Sequence, residues 1–358
     1  AVDLDGTLLR TDTLLESLCV LARERPLALV GAALALTKGR AHFKAWVAGR
    51  APLDTDSLPL NTELLRWLED QTAEGRHLIL VTAAERRIAN AIADRTGLFA
   101  GVLATEDGHN LKGKAKAARL MEVYGRGGYD YVGDARADIP VWAGARRAIV
   151  VGDSRLVAAA RQVADIERVF PTSTGSWAGA LRALRPHQWV KNLLIFLPIL
   201  AAHRLDEGAS LAAAFLAFLA FSLTASAVYL LNDLLDLPDD RRHPRKCQRP
   251  FAAGDLPLLW GLILIPVLLA GGAFLCLPLP PVFAAVLGCY FVLTCAYSLY
   301  LKRLPIVDVM TLAGLYTVRV IAGSAAVAML TSFWLLALSM FLFLSLALVK
   351  RYTELQGL

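Results

Sequence analysis

The sequence predicts two architectures in one chain: an N-terminal α/β domain followed by an all-α, polytopic membrane bundle. Three observations carry this expectation. Mean hydropathy is +0.50 although 19% of the residues are charged, so the average conceals two unlike halves. Up to about residue 185 charges mix with short apolar runs, whereas uncharged stretches dominate from about Trp189 onward. Within the first half, strand-like apolar runs alternate with helical segments, the pattern of a parallel sheet covered by helices. The expected boundaries are 1–170 for the α/β domain, 171–188 for a linker and 189–358 for the membrane domain. The linker opens on the turn-rich Pro171-Thr-Ser-Thr-Gly-Ser, and Trp177 to Leu184 reads as an amphipathic helix lying on the bilayer surface.

Composition excludes several classes. A formal charge of +6 suggests nucleic acid, but the basic residues gather beside the apolar segments and form no solvated stripe, so no nucleic-acid partner is expected. The five cysteines contain no CxxC pair, which argues against a disulfide framework or a zinc site. The opening Ala1-Val-Asp-Leu-Asp reads as a buried strand and not as a targeting segment, and a few residues are expected to precede it.

In the α/β half, Asp3-Leu-Asp5-Gly-Thr7 sets two carboxylates two residues apart. A regular strand would point them to opposite faces, so both serve one site only if the chain turns, and Gly6 permits the turn. Residues 12–75 read as a largely helical insert, a small cap; the apolar run 27–36 within it is too short to cross a bilayer and reads as cap core. The run Leu78-Ile-Leu-Val81 ends in Thr82, and Tyr131-Val-Gly133 ends in Asp134 with Asp138 beyond. Helices over 86–96 and 115–124 fall between, so these polar residues collect at the carboxyl ends of parallel strands. Lys112, Lys114 and Lys116 are the lysines before the Asp134 strand, and Lys114 is favoured because it opens the helix. His42 and His109 have no evident partner and read as incidental.

These pieces, in order, resemble the four motifs of the haloacid dehalogenase superfamily: a DxDGT start, a Thr after an apolar strand, a Lys, and GDxxxD. The resemblance implies a Rossmann-like fold and phosphoryl transfer through an aspartyl phosphate. Asp3 would be the nucleophile and Asp5 the general acid and base. Thr82 and a lysine would hold the phosphoryl group, while Asp3, Asp134 and Asp138 would hold Mg2+.

In the membrane half, the uncharged run 210–231 is long enough to span the ~30 Å hydrocarbon core alone. The run 256–301 is long enough for two spans, broken by Leu277-Pro-Leu-Pro-Pro281. A shorter first span is expected over 192–202, extended by 188–191, and further spans over 305–329 and 332–349, so at least six are expected. Lysines and arginines crowd the loops before the first span and after the second, fourth and sixth, with only Arg204 in the alternate loops. A multi-pass protein of the inner (plasma) membrane follows, its basic loops and α/β domain on the cytoplasmic side. After the second span comes Asn232-Asp233-Leu-Leu-Asp236-Leu-Pro-Asp-Asp240, whose Asp233, Asp236 and Asp240 would share one face of a helix. Carboxylates clustered at a membrane helix end call for neutralisation, and Mg2+ bridging to a diphosphate supplies it. Arg241, Arg245, Lys246 and Arg249 follow, suited to phosphate. Arg319 lies in an otherwise apolar span, where burial is costly, and reads as functional.

The Asn232 to Asp240 segment resembles the first aspartate-rich motif of the UbiA superfamily of membrane prenyltransferases. Arg185-Pro-His-Gln-Trp-Val-Lys191-Asn192, the run from Asp240 through Arg249-Pro-Phe-Ala-Ala-Gly254, and Tyr297-Ser-Leu-Tyr-Leu-Lys302 resemble its decaprenyl-phosphate phosphoribosyltransferase branch. The resemblance implies a phosphoribosyl diphosphate donor, a polyprenyl phosphate acceptor, a bilayer setting and Mg2+, and it is compatible with a homo-oligomer. Asp233, Asp236 and Asp240 would hold the metal and donor diphosphate; Lys191, Asn232, Arg245, Lys246 and Arg249 would contact phosphates; Tyr297 and Lys302 would line the opposite side. Asp308 falls where the superfamily carries its second acidic region, although no second full repeat is present. Because superfamily members have nine-helix bundles, the chain is expected to continue beyond Leu358. The alternative is transfer of a prenyl group from prenyl diphosphate to an aromatic acceptor. Fusion to a phosphatase suggests consecutive steps, transfer and then removal of the sugar 5-phosphate.

Overall fold

The computed structural model describes residues 1–105, 111–172 and 177–356, so His109 and positions 173–176 of the linker lie outside the described residues. The chain divides into two compact units, one of residues 1–180 with 233–260 and the other of 181–232 with 261–358.

The first unit contains a parallel sheet with strands β1 (Ile79–Glu85), β2 (Gly101–Thr105), β3 (Tyr131–Gly133), β4 (Ala148–Gly152) and β5 (Ile166–Pro171). β1 pairs with β2, and β3, β4 and β5 pair in that order. Val2 bridges in parallel to both Leu80 and Val132, so the start of the chain lies between the two groups. The N–H of Val2 donates to the Ile79 carbonyl at 2.9 Å and that of Asp3 to the Val132 carbonyl at 3.0 Å. The direction of winding therefore reverses at the first strand, which opens a crevice at the carboxyl ends of the strands.

Helices α1 (Thr13–Glu24), α2 (Ala28–Thr37), α3 (Arg40–Ala48) and α4 (Thr62–Ala73) precede β1, and α5 (Arg86–Thr96), α6 (Lys114–Tyr124), α7 (Ile139–Trp142) and α8 (Ser154–Arg161) alternate with the strands. Polar caps fix several starts: Asp12 accepts from the Leu14 and Leu15 N–H groups, Asn61 from Leu64, and Asp153 from Leu156. One core packs Leu4, Leu80, Ile92 and Phe170 together, and another packs Val81, Leu120, Trp142 and Val150. The cap helices have a smaller core of Val20, Leu21, Ala32 and Val47. The reading of 27–36 as cap core is only half right. Ala32 and Ala35 point inward, but Leu27, Val30, Leu34 and Leu36 are exposed, because Gly31 and the alanines let α2 lie close to Trp46 and leave the large side chains outside.

Residues 233–260 complete this unit with a helix at Leu237–Arg242, a 3-10 turn at Lys246–Gln248, and buried Phe251, Ala252 and Leu256.

The chain contains five helices long and apolar enough to cross a membrane among the described residues: Gly208–Leu235, Leu258–Cys276, Pro281–Leu299, Ile306–Ala326 and Phe333–Thr353. The Pro-rich break falls between the second and third, as expected. The expected first span is absent as a continuous helix. Residues 186–196 form a 3-10 helix followed by a five-residue α-helix at Leu197–Ala201. The physical reason is that its apolar run, 193–202, would extend only about 15 Å even as an α-helix. The second unit packs Ala217, Ala220, Phe221, Phe283, Tyr290 and Ala322 in its core. Small residues permit close helix approach there: a Cβ on Gly323 would lie 2.1 Å from the Ile195 carbonyl oxygen.

Candidate functional site

At the carboxyl end of the first strand the chain turns at Gly6, whose φ is +76°. A Cβ there would lie 2.1 Å from Asp134 Oδ2, so only glycine lets the turn approach that carboxylate. Thr7 donates to Asp134 Oδ1 at 3.0 Å and ties the turn to the end of β3. Asp3, Asp134 and Asp138 offer oxygens that all lie within 4.8 Å of one another. Three oxygens so spaced suit one divalent cation with ligand distances of about 2.0–2.6 Å. Burial, with the charges of Asp3 and Asp138, pushes Asp134 up to about 8, a repulsion that a bound cation would relieve. Asp138 is likewise raised, by burial and then by Asp3.

The lysine at this site is Lys116, where the sequence favoured Lys114. Its Nζ lies 2.8 Å from Asp3 Oδ2 and 3.8 Å from Asp138 Oδ1. Lys114, the first residue of α6, is exposed. Helix phase decides this: Lys116, Ala117 and Leu120 form the buried face of α6, and Lys114 lies off it. Tyr131, which sequence reasoning treated only as a strand residue, accepts from Lys116 at 2.8 Å and donates to Asp138 at 3.0 Å. A tyrosine in a fully buried strand was the available signal, since a buried phenol needs a partner. Thr82 is fully buried, and its hydroxyl accepts the Ala84 N–H at 2.9 Å.

Asp5 faces a different environment from Asp3. Burial, and then the charge of Asp12, push it up to about 7 against the opposing Thr13 N–H, which donates at 2.9 Å. It is therefore protonated in mildly acidic solution, about half protonated near neutrality and ionised as the pH rises further, a range suited to giving and taking a proton. Two carboxylates two residues apart thus stand in different surroundings, Asp3 beside Lys116 and Asp5 beside Asp12 and the Thr13 N–H. Lys44 from the cap donates to the Ala83 carbonyl at 2.7 Å and lines a cavity of about 260 Å³ with Asp5 and Asp12. No sequence motif marked it.

The aspartate-rich segment does not continue as one helix. Helix Gly208–Leu235 ends before Asp236, and Pro238 in the first turn of Leu237–Arg242 explains the break, since its ring cannot follow the preceding turn. Asp233 and Asp240 meet nonetheless: Arg249 Nη1 lies 3.1 Å from the former and 2.5 Å from the latter, both side chains being 2% exposed. Asp236 is half-buried, while Arg245 and Lys246 are exposed.

Arg241, expected to bind phosphate, is placed otherwise. Its guanidinium makes a two-pronged ion pair with Glu16 of α1, at 2.5 and 3.0 Å, and its Nε donates to the Ala252 carbonyl at 3.2 Å. The two side chains are 5% and 1% exposed. Glu16 also accepts from Thr11 at 2.6 Å. Because they stand 225 positions apart in the sequence, no local pattern could announce the pair. Truncating one partner of a buried pair strands the other charge, at about 3–5 kcal/mol. Arg241→Ala is therefore expected to lower the unfolding midpoint of the first unit sharply in a denaturant titration. Removing both charges with Arg241→Met and Glu16→Gln should restore most of the loss. A single variant as stable as the parent would show that the pair contributes nothing.

In the second unit, Arg319 is buried and its donors are engaged: Nε with Asn192 Oδ1 at 2.9 Å, Nη2 with the Tyr290 hydroxyl at 3.2 Å, and Nη1 with the Leu315 carbonyl. Asn192 in turn donates to Ser222 at 2.9 Å. The arginine thus fixes the segment that carries Lys191, whose pKa is lowered by burial and by the positive charges of Arg319, Lys350 and Arg185. Converging cations of this kind suit a phosphate. Tyr297 donates to Asp308 at 2.7 Å, which brings two of the expected residues together. Lys302 is exposed at the following turn, and Asn232 is half-buried at the end of the unit's first segment.

Comparison with known proteins also divides the chain in two, but with one boundary along the sequence, so that residues 233–260, which pack in the first unit, fall within the second match. The haloacid dehalogenase-like hydrolase family matches residues 1–142 and the UbiA prenyltransferase family matches residues 193–357. The protein y4nM of Sinorhizobium fredii is 36% identical over 354 residues, which cover 98% of this chain and 68% of the relative. Decaprenyl-phosphate phosphoribosyltransferase of Mycobacterium tuberculosis is 39% identical over 186 residues, 50% of this chain and 60% of the relative. Nodulation protein NoeC of Azorhizobium caulinodans is 38% identical over 176 residues, 49% of this chain and 57% of the relative. The chain thus spans less than two thirds of the length of the latter two.

Proposed function

We propose that this chain, which belongs to the family of y4nM and joins a haloacid dehalogenase-like hydrolase unit to a UbiA-family transferase unit, moves a phosphoribosyl group from phosphoribosyl diphosphate to a polyprenyl phosphate at the cytoplasmic face of the inner membrane. The observation that carries the transferase reading is Arg249 bridging the buried carboxylates Asp233 and Asp240. One guanidinium between two buried carboxylates keeps a polar site assembled at a membrane helix end, where neither charge would be tolerated alone. The likeness to decaprenyl-phosphate phosphoribosyltransferases supports the identity of donor and acceptor.

In this reading an oxygen of the lipid phosphate attacks the anomeric carbon as the bond from that carbon to the diphosphate breaks. Asp233, Asp236 and Asp240 are not gathered around one point as Asp3, Asp134 and Asp138 are, but one or two of them together with the diphosphate's own oxygens would hold Mg2+, which would supply positive charge against the departing group. Arg249 orients the donor's phosphates.

The hydrolase unit cleaves a phosphate monoester. Asp3 attacks phosphorus while Asp5 gives its proton to the leaving oxygen, and Asp5 then takes a proton from the water that hydrolyses the aspartyl phosphate. Lys116 and Thr82 hold the phosphoryl oxygens, and Mg2+ on Asp3, Asp134 and Asp138 would offset their charge.

The test of the transferase reading is partition of label. The purified chain, given Mg2+, ribose-labelled phosphoribosyl diphosphate and farnesyl phosphate, is expected to carry label into the organic phase, and a chelator is expected to stop it. Label that stays in water while a prenyl diphosphate is consumed on an aromatic acceptor would favour a prenyltransferase instead.

A further inference from the structure

We infer that the hydrolase site is built for a membrane-resident phosphate monoester, an amphiphile whose phosphate reaches Asp3 while its body lies against the start of the membrane helix Leu258–Cys276. The inference rests on the hydrolase reading above and names the substrate class of that site. A cavity of about 350 Å³ has Asp5 and Asp134 in its lining together with Phe170, Pro257, Leu258 and Leu259. Asp134 belongs to the same carboxylate cluster as Asp3, so the reacting phosphate and the apolar wall share one space.

The wall's position along the bilayer normal follows from its own sequence. Leu258 begins a 19-residue helix apolar enough to cross a membrane. Trp260, two residues on, meets Trp177 edge to face with ring centroids 5.5 Å apart. Tryptophans at the end of an apolar span mark the headgroup level. The wall is also a fixed part of the unit. Gly254 has φ +75°, and a Cβ there would lie 2.5 Å from Arg10 Cβ, so the loop lies close against the segment that follows the catalytic turn. Phe251 and Leu256 are each 1% exposed, and the Leu256 N–H donates to the Pro250 carbonyl at 3.0 Å.

A cavity of this size holds a sugar phosphate but not a lipid tail. A tail must leave along Leu259, which is 53% exposed. That leucine lies in the first turn of a helix apolar enough to cross a membrane, so a tail leaving along it passes directly into the bilayer. The product of the transfer proposed above is of this class, a sugar phosphate joined to a membrane lipid.

The experiment uses the full chain in phosphatidylcholine nanodiscs with Mg2+ and two probes with one head group, octadecyl β-D-riboside 5-phosphate and methyl β-D-riboside 5-phosphate. Phosphate release should show kcat/KM higher for the octadecyl ester by about 10²-fold, the range an apolar contact supplies. Partition into the bilayer alone favours a long tail, so the deciding variant is Leu259→Glu. It is expected to lower the octadecyl-to-methyl ratio by about tenfold or more. Equal use of the two esters, or a preference that survives unchanged in Leu259→Glu, would overturn the inference. If p-nitrophenyl phosphate is hydrolysed but the octadecyl ester is not preferred, the hydrolase reading stands and the inference alone fails. If none of the three releases phosphate, both fail.

Discussion

Replacing Asp3 with Asn is expected to reduce phosphate release from any monoester by about 10³-fold or more, the scale seen when a covalent nucleophile is removed. The amide is a poor nucleophile, and nothing nearby substitutes for the lost carboxylate. Asp5 accepts the Thr13 N–H and is held protonated up to about 7 by burial and Asp12. Asp134 and Asp138 are themselves raised by burial and by Asp3. Lys116 would lose its 2.8 Å partner on Asp3 but keep Tyr131 at 2.8 Å, so the buried ammonium remains hydrogen-bonded and the fold is expected to survive. Phosphoribosyl transfer should continue, because Asp3 takes no part in the Asp233 and Asp240 cluster. Hydrolysis within tenfold of the parent would remove Asp3 from the nucleophile's role.

Asp233→Asn carries the second large effect. Asp233 is 2% exposed and shares Arg249 with Asp240, so the substitution removes a negative charge where the reading places a metal and diphosphate. Loss of one preorganised electrostatic partner at a reacting group costs about 10²–10³-fold in rate, and transfer is expected to fall by that factor while release of phosphate by the hydrolase unit persists. Donor binding, followed by calorimetry with phosphoribosyl diphosphate and Mg2+, should weaken in parallel. A variant that transfers at the parent's rate would show that this carboxylate serves only to hold Arg249.

What could be read from the sequence is what lies close together in it. Asp3, Asp5 and Gly6 sit on one turn, and Asp134 and Asp138 on another, so strand periodicity and short spacing located all of them. The lysine was legible in principle, because Lys116 stands four residues before the buried Leu120 and Lys114 does not. Helix position was weighed above helix phase, and the favoured residue was the exposed one. The unbroken helix expected through Asp240 failed at Pro238, a breaker present in the motif itself. Arg241 was beyond reach, since its role depends on Glu16 in a distant helix. The polar network of Arg319, Asn192 and Ser222 shows the same limit: burial announced that Arg319 has a partner, but not which one.

The most direct test of the account is the mass of the lipid product formed by the Asp3→Asn chain from phosphoribosyl diphosphate and a short polyprenyl phosphate. With hydrolysis blocked, the lipid is expected to gain a ribose that still bears its phosphate. Recovery of the polyprenyl phosphate unchanged, with the donor intact or its sugar found only in water, would contradict the account.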